Sequence, residues 1–408
     1  MPIESLTPPT ESSTAPTKFS KPIGSILGST ALVAGTTVGA GMLALPSVTQ
    51  PAGLLPSTLA LIGVWLYALI SGLLIAEVNL QFVGENPEET PGLLAMIARI
   101  LGKPGAIVTG IAYLFLHYAL LVAYVAEGGG ILLSALRQLG LGLSWSDGIG
   151  QGLFTAIFGG LLYLGRVQLV ERLNSLFVAI VVATFLGLLI CSVGQVEITQ
   201  FARYDWGAVR PAIPVMLVAL FYHNVIPVIV KQLKGDVVRV RRSITFGSAL
   251  PMLMFLIWNA VVLGSAATMG SDPLAVLRSG QSGIGLAALV SVFSEFAIVT
   301  SFIGFVYGLV DFWRDLLKRQ PGEEPQRLPL YSLVLGPAFG LSVLNPQIFL
   351  VALAYAGTFS ISVIGGMIPA VMAGKRRMEE EAVVRLVPGG WLVLGGMIVG
   401  ALLVLLWR

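Results

Sequence analysis

Charge is scarce in this chain. Of 408 residues only 11% are Asp, Glu, Lys or Arg, against roughly 25% in ordinary soluble domains. A water-soluble domain of this length needs a far more polar surface, so that class is excluded. Cysteine is nearly absent: Cys191 is the single thiol and lies in an apolar run. That excludes a disulfide framework and a cysteine metal site, and Cys191 reads as a small buried hydrophobe. Net charge is only +3, with the basic residues in short clusters between apolar runs, which excludes a nucleic-acid surface. Five ionisable residues fall inside apolar segments (Glu77, His117, Glu127, His223 and Glu295). They are too scattered to form the set a membrane enzyme needs, and a channel's charge ring or filter motif is missing as well. No cofactor or metal is expected.

Apolar sequence fills the space that charge leaves: 56% of the chain is hydrophobic. No charged residue lies between Lys21 and Glu77, or between Arg327 and Lys375. Further uncharged runs cover 104–126, 148–165, 173–196, 211–230, 243–271 and 386–407. A membrane-spanning helix needs about 20 mostly apolar residues. The reading is an all-α polytopic membrane protein.

Pro46, Pro51, Gly53 and Pro56 divide the first long run, and Asn345-Pro346 divides the run after 328. Eleven helices follow, at 24–47, 54–82, 105–136, 149–165, 173–194, 208–232, 243–268, 284–316, 328–344, 347–373 and 389–407. Residues 1–22 contain thirteen Ser, Thr or Pro and read as a disordered cytoplasmic tail, neither a signal peptide nor a transit peptide. With a cytoplasmic N-terminus, 19 Lys and Arg fall inside and five outside. That obeys the positive-inside rule and puts the C-terminus outside. The segment 90–103 reads as a short amphipathic helix with Thr90-Pro91 at its N-cap and N1 positions, lying on the membrane surface or packed on protein.

Two spans carry interruptions. The first contains Gly35, Gly39 and Gly41 in seven residues, a weak way to keep a helix continuous. Close helix packing through small residues is the other reading of these glycines. The sixth contains Tyr222-His223-Asn224 just before Ile226-Pro227. Proline opposes a regular turn, and His and Asn are expensive in hydrocarbon. Spans one and six correspond if spans 1–5 and 6–10 are repeats, and an odd number of helices per repeat inverts the second copy. Paired broken helices in inverted repeats point to a secondary transporter's binding site. Their half-helix ends expose N–H and C=O groups suited to a carboxylate and an ammonium.

These residues resemble a known family. The run from Gly39 through Ala40, Gly41, Met42, Leu43, Ala44 and Leu45 to Pro46 is similar to the opening motif of the tryptophan/tyrosine permease family, within the amino acid–polyamine–organocation superfamily. Tyr222-His223-x-x-Ile226-Pro227 resembles its span-six break, and Thr300-Ser301-Phe302-Ile303-Gly304 a stretch of its eighth span. The resemblance covers most of residues 22–407. It implies a leucine-transporter-like fold of ten helices in a 5+5 inverted repeat plus one extra C-terminal helix. Repeat one would cover about 24–194, repeat two about 208–373, and 374–408 a cytoplasmic loop with the eleventh helix.

Import of an aromatic amino acid of the tyrosine or tryptophan type, by proton symport, is what the resemblance implies. Such a transporter needs a lipid bilayer, its amino acid and a coupling proton, and no protein partner. Sodium coupling or a broader neutral substrate is the alternative. The candidate substrate contacts are Thr36, Thr37, Gly39, Ala40 and Gly41 with Tyr222, His223 and Asn224. Candidates for coupling are Glu77, His223, Thr300 and Ser301. Glu77 would bond the freed N–H groups of the first break or relay a proton. Thr300 and Ser301 correspond to a sodium-binding hydroxyl pair of some superfamily members, whereas Met42 replaces an Asn ligand found in some of them. His117 and Tyr124 share one face of span three, where His117 reads as a core histidine or a cavity neighbour. Glu127 and Glu295 depart from the family pattern. Ser294, Ala297, Ser301, Gly304 and Gly308 form a small-residue stripe expected to pack against the first span.

Overall fold

A computed structural model describes residues 25–39, 41–85, 91–141, 144–194, 196–265, 273–278, 283–317, 326–379 and 384–406. The N-terminal tail, Ala40 and Thr90 lie outside them. Among the described residues the fold is helical, without strands. Among these residues eight helices are long and apolar enough to cross a membrane, or nine if the bent first pair counts as one span.

The first apolar run forms two helices, α1 (Ile26–Thr37) and α2 (Gly41–Thr49), bent by 53°. Ser25 caps α1, its Oγ accepting the Gly28 N–H at 2.9 Å. α3 (Leu54–Glu85) is a single unbroken span. α4 (Leu93–Gln138) has 46 residues, and straight it would reach roughly 69 Å at 1.5 Å per residue, twice the bilayer core. It is not straight. Gly102 adopts φ 66°, which glycine alone tolerates easily, and Pro104 follows it. The kink separates a short leading helix from the span. Gly92 occupies the N-cap, Leu93, Met96, Ile97 and Ile100 are buried, and Asn79 of α3 donates to the Pro91 carbonyl at 3.2 Å. Packing on protein, rather than on lipid, therefore accounts for its apolar face.

The fourth expected segment is interrupted. It runs through α5 (Asp147–Phe154), a π-helical turn at Thr155–Gly159 and α6 (Gly160–Leu164). α7 (Val167–Val193) follows, and Cys191 sits exposed on its surface rather than buried. On the outside of an apolar bundle, a small thiol is as acceptable as a methyl group.

The sixth apolar run breaks as well. α8 (Ile213–Ala219) stops, a 3-10 turn at His223–Val225 intervenes, and α9 (Ile226–Gln232) begins. Pro227 lies in the first turn of α9, where its missing N–H leaves no bond unmade. α10 (Val237–Ser265), the short α11 (Pro273–Arg278), α12 (Ile284–Leu317) and α13 (Arg327–Leu344) continue the chain. The last long segment passes through α14 (Phe349–Tyr355), a π-helical stretch at Ala356–Met367 and α15 (Ile368–Glu379), before α16 (Gly390–Leu406) closes the fold.

The two broken helices meet. A Cβ added at Gly41 would lie 2.6 Å from Ala219 Cβ and 2.8 Å from Ala219 Cα. The start of α2 is thus pressed onto the end of α8. Trp258 of α10 braces the same region, donating its indole N–H to the Met42 carbonyl at 2.7 Å. Its ring joins Phe185 and Phe293 in an aromatic layer with centroid separations of 5.4 to 6.1 Å.

Candidate functional site

A cavity of about 440 Å³ opens beside the two breaks. That volume lies within the usual range for small-molecule sites. Its polar lining comes from the ends of the half-helices and from α12: Gly35 and Thr36 of α1, Asn224 in the second break, and Thr300 and Ser301. Aromatic and aliphatic walls come from Tyr113 and His117 of α4, Phe221, Val178 and Val182 of α7, Met254 of α10 and Phe305. Trp258 of the aromatic layer stands one helical turn beyond the lining residue Met254 on α10. Towards the other side the lining runs down to Tyr113, Asn174 and Gly308.

The electrostatics follow from helix direction. α1 ends at the cavity, so its last carbonyls and the negative end of its dipole face in. α9 starts there, so its first N–H groups and positive end face in. A zwitterion fits such a pair of ends, ammonium toward α1 and carboxylate toward Asn224.

Not every expected contact reaches this cavity. Thr36 and Asn224 line it. Thr37 is buried behind it, its hydroxyl donating to the Val33 carbonyl at 2.8 Å. Ala40 lies outside the described residues. None of Gly35, Gly39 and Gly41 has a positive φ, so backbone freedom is not what requires glycine. Space is: a Cβ on Gly39 would collide with the Ser301 side chain, and one on Gly41 with Ala219, whereas Gly35 faces open space.

Tyr222 is fully buried and donates to the Ala68 carbonyl at 3.3 Å. His223 also sits behind the cavity wall. Its ring stacks on Phe221 (4.9 Å) and Tyr222 (5.1 Å) and abuts Gly365 in the π-helical stretch. Among the described residues neither of its ring nitrogens has a hydrogen-bond partner. In this conformation Phe221, not His223, presents the aromatic surface.

Glu77 requires a correction. Among the described residues it makes no bond to the first break. Arg377 of α15 clamps its carboxylate in a two-point pair, Nε to Oε1 at 2.6 Å and Nη2 to Oε2 at 2.9 Å. The Leu386 N–H also donates to Oε2 at 2.9 Å. The pair is almost wholly buried and ties α3 to α15 and to the segment leading into α16.

Thr300 and Ser301 face the cavity side by side, and the Thr300 hydroxyl donates to the Ala297 carbonyl at 3.1 Å. The small-residue stripe divides its work. Ser301 meets Gly39 as expected, but Gly304 and Gly308 open onto the cavity. For His117 the two readings coincide. It is both buried and a cavity-lining residue. Its Nδ1 lies 2.9 Å from the Tyr113 carbonyl, which can only accept, so Nδ1 carries the hydrogen and a neutral ring leaves Nε2 as an acceptor. Asn174, a polar amide at the start of an uncharged run, is the cavity residue that the sequence reading does not single out. Its Oδ1 has no hydrogen-bond partner among the described residues.

Comparison with known proteins agrees with this geometry. The sequence model of the tryptophan/tyrosine permease family matches residues 23–408. The chain belongs to that family. Among its relatives is tyrosine-specific transport system 1 of Haemophilus influenzae, 29% identical, with 90% of this chain and 92% of the relative covered. The tryptophan-specific transport protein of the same organism is 30% identical, with 93% and 94% covered. Its tyrosine-specific transport system 2 is 27% identical, with 93% and 95% covered. The permease is therefore an integral membrane transporter, not an enzyme.

Proposed function

We propose that this permease imports an aromatic amino acid, tyrosine or tryptophan in type, with a proton, across a bacterial cytoplasmic membrane by alternating access. The observation that carries the reading is the cavity at the two breaks, where a carbonyl end and an N–H end face one apolar, aromatic-walled space. The α1 end and Thr36 would hold the ammonium, and the α9 end with Asn224 the carboxylate. Phe221, Phe305, Tyr113 and His117 supply flat surfaces for an aromatic side chain, which prefers offset or edge contacts with other rings. The substrates named for the relatives, tyrosine and tryptophan, support the same class.

The finer architecture belongs to the same proposal. Counting the interrupted segment at residues 147–164 and the short α16 as spans restores eleven, in a 5+5 inverted repeat plus one. The N-terminus is then cytoplasmic and the C-terminus external. The cavity descends toward the ends of α4, α7 and α12 that adjoin the basic loops, so this conformation faces the cytoplasm while the Trp258 layer seals the outside. His223 remains the candidate proton carrier within the wall. Sodium is the second reading, favoured by Thr300 and Ser301 lying together on the cavity beside Gly39. Uptake of labelled tyrosine, tryptophan, phenylalanine and glutamine into proteoliposomes, under separate proton and sodium gradients, tests both. Accumulation that follows sodium and ignores the pH step would reject proton coupling. Glutamine uptake without aromatic uptake would reject the substrate class.

A further inference from the structure

Three ionisable side chains outside the cavity lining come from helices that pack on one another. Glu127 projects from α4, Arg278 ends α11, and Glu295 lies on α12. Arg278 Nη1 sits 3.0 Å from Glu127 Oε1, and both side chains are partly buried. Glu295 is the odd member. Both its carboxylate oxygens are out of contact with solvent, and among the described residues nothing donates a hydrogen bond to either.

Glu127 from α4 and Arg278 from α11 are the charged groups that act on Glu295. The other described elements around it bring no charge to this level. α7 contributes rings, Phe177 against Phe296 and Phe185 against Phe293. α2 contains no ionisable residue, and α13 carries its Arg327 at the opposite end, over Tyr163 and Tyr331. A carboxylate ion buried without donors is strongly disfavoured, and the neighbouring Glu127 charge disfavours it further. Arg278 is already engaged by Glu127. The neutral acid is the form this surrounding accepts.

We propose that Glu295 is a proton-binding site of the transport cycle, set on α12 between Phe293 of the aromatic layer and Thr300 of the cavity, and that the Glu127–Arg278 pair controls its occupancy. While Arg278 stays on Glu127, Glu295 keeps its proton. A shift of α11 that brings Arg278 to Glu295 supplies a cationic partner, and the proton leaves as the carboxylate forms. No other co-reactant is needed, since the proton comes from and returns to water. This inference rests on the proton-symport reading and assigns it a group.

The test uses the full-length protein in proteoliposomes with labelled tyrosine and tryptophan. One pH unit across the membrane supports at most about tenfold accumulation in one-to-one symport. Wild type should accumulate toward that limit. Glu295→Gln should fall to equilibration, a ratio near one, while exchange of labelled for unlabelled substrate persists. Glu295→Asp should restore part of the accumulation. Glu127→Gln, which removes both the Glu127 charge beside Glu295 and the acidic partner of Arg278, should also lose proton-driven accumulation and keep exchange. It serves as the decisive variant if Glu295→Gln does not fold. Wild-type proton dependence in either folded glutamine variant overturns the proposal, as does loss of exchange together with accumulation in both. A wild type that exchanges substrate but ignores the pH step refutes the symport reading itself, which separates the two failures.

Discussion

The buried Glu77–Arg377 pair allows a prediction whose sign depends on which partner is removed. Removing one member of a buried ion pair costs about 3–5 kcal/mol, because the survivor is left charged and out of water. The two survivors here are not equally stranded. After Arg377→Met, Glu77 still accepts the Leu386 N–H at 2.9 Å and has the Val387 N–H at 3.4 Å. After Glu77→Leu, Arg377 retains, among the described residues, only the Val387 carbonyl at 3.2 Å, and the two N–H groups lose their acceptor. Arg377→Met should therefore lie near the lower figure and Glu77→Leu near the upper. Taking ~2.1 cal/mol/K per residue over 408 residues, the unfolding entropy is about 0.86 kcal/mol/K, so the Tm falls by about 3.5 °C and 6 °C respectively. The double variant leaves no charge behind and should lose less than the sum of the two. Thermal melting of the purified protein in detergent, read as a double-mutant cycle, measures this. Additive losses, or Arg377→Met as the costlier change, would refute the reasoning.

Other outcomes follow from the same contacts. Gly41→Ala forces a Cβ against Ala219 and should cost about 1–3 kcal/mol in melting experiments, whereas Gly35→Ala meets nothing within 4 Å and should gain up to about 1 kcal/mol from helix propensity. Trp258→Phe leaves the buried Met42 carbonyl without its 2.7 Å donor and should cost about 1–3 kcal/mol, again read from the Tm. Asn224→Ala should raise the uptake KM by roughly tenfold, the equivalent of one charge-assisted hydrogen bond of about 1.4 kcal/mol, with folding intact. His223→Ala should lower uptake severely without unfolding the protein. Unchanged transport and unchanged pH dependence would remove it from the mechanism.

Much of the architecture is written in one dimension. The bilayer core sets a minimum length for an apolar segment, and charge in lipid is costly, so charge-free runs mark where helices lie whatever packs around them. The two interruptions are legible for a related reason: glycine clusters and a polar pair before proline are poor continuous helix in any surrounding. Three things were decided only by packing. Helix rotation put Phe221 and Asn224 on the cavity and turned Tyr222 and His223 away, a choice that adjacent residues cannot reveal, since successive side chains on a tight turn point in different directions. Glu77 and Arg377 are 300 positions apart, so no spacing rule could pair them, and a lone acid in an apolar run looks the same whether it relays a proton or anchors an arginine. Gly39 and Gly41 of the first break read equally as sites of backbone freedom or of close packing and serve as sites of close approach, because Ser301 and Ala219 arrive there from helices that local sequence does not place.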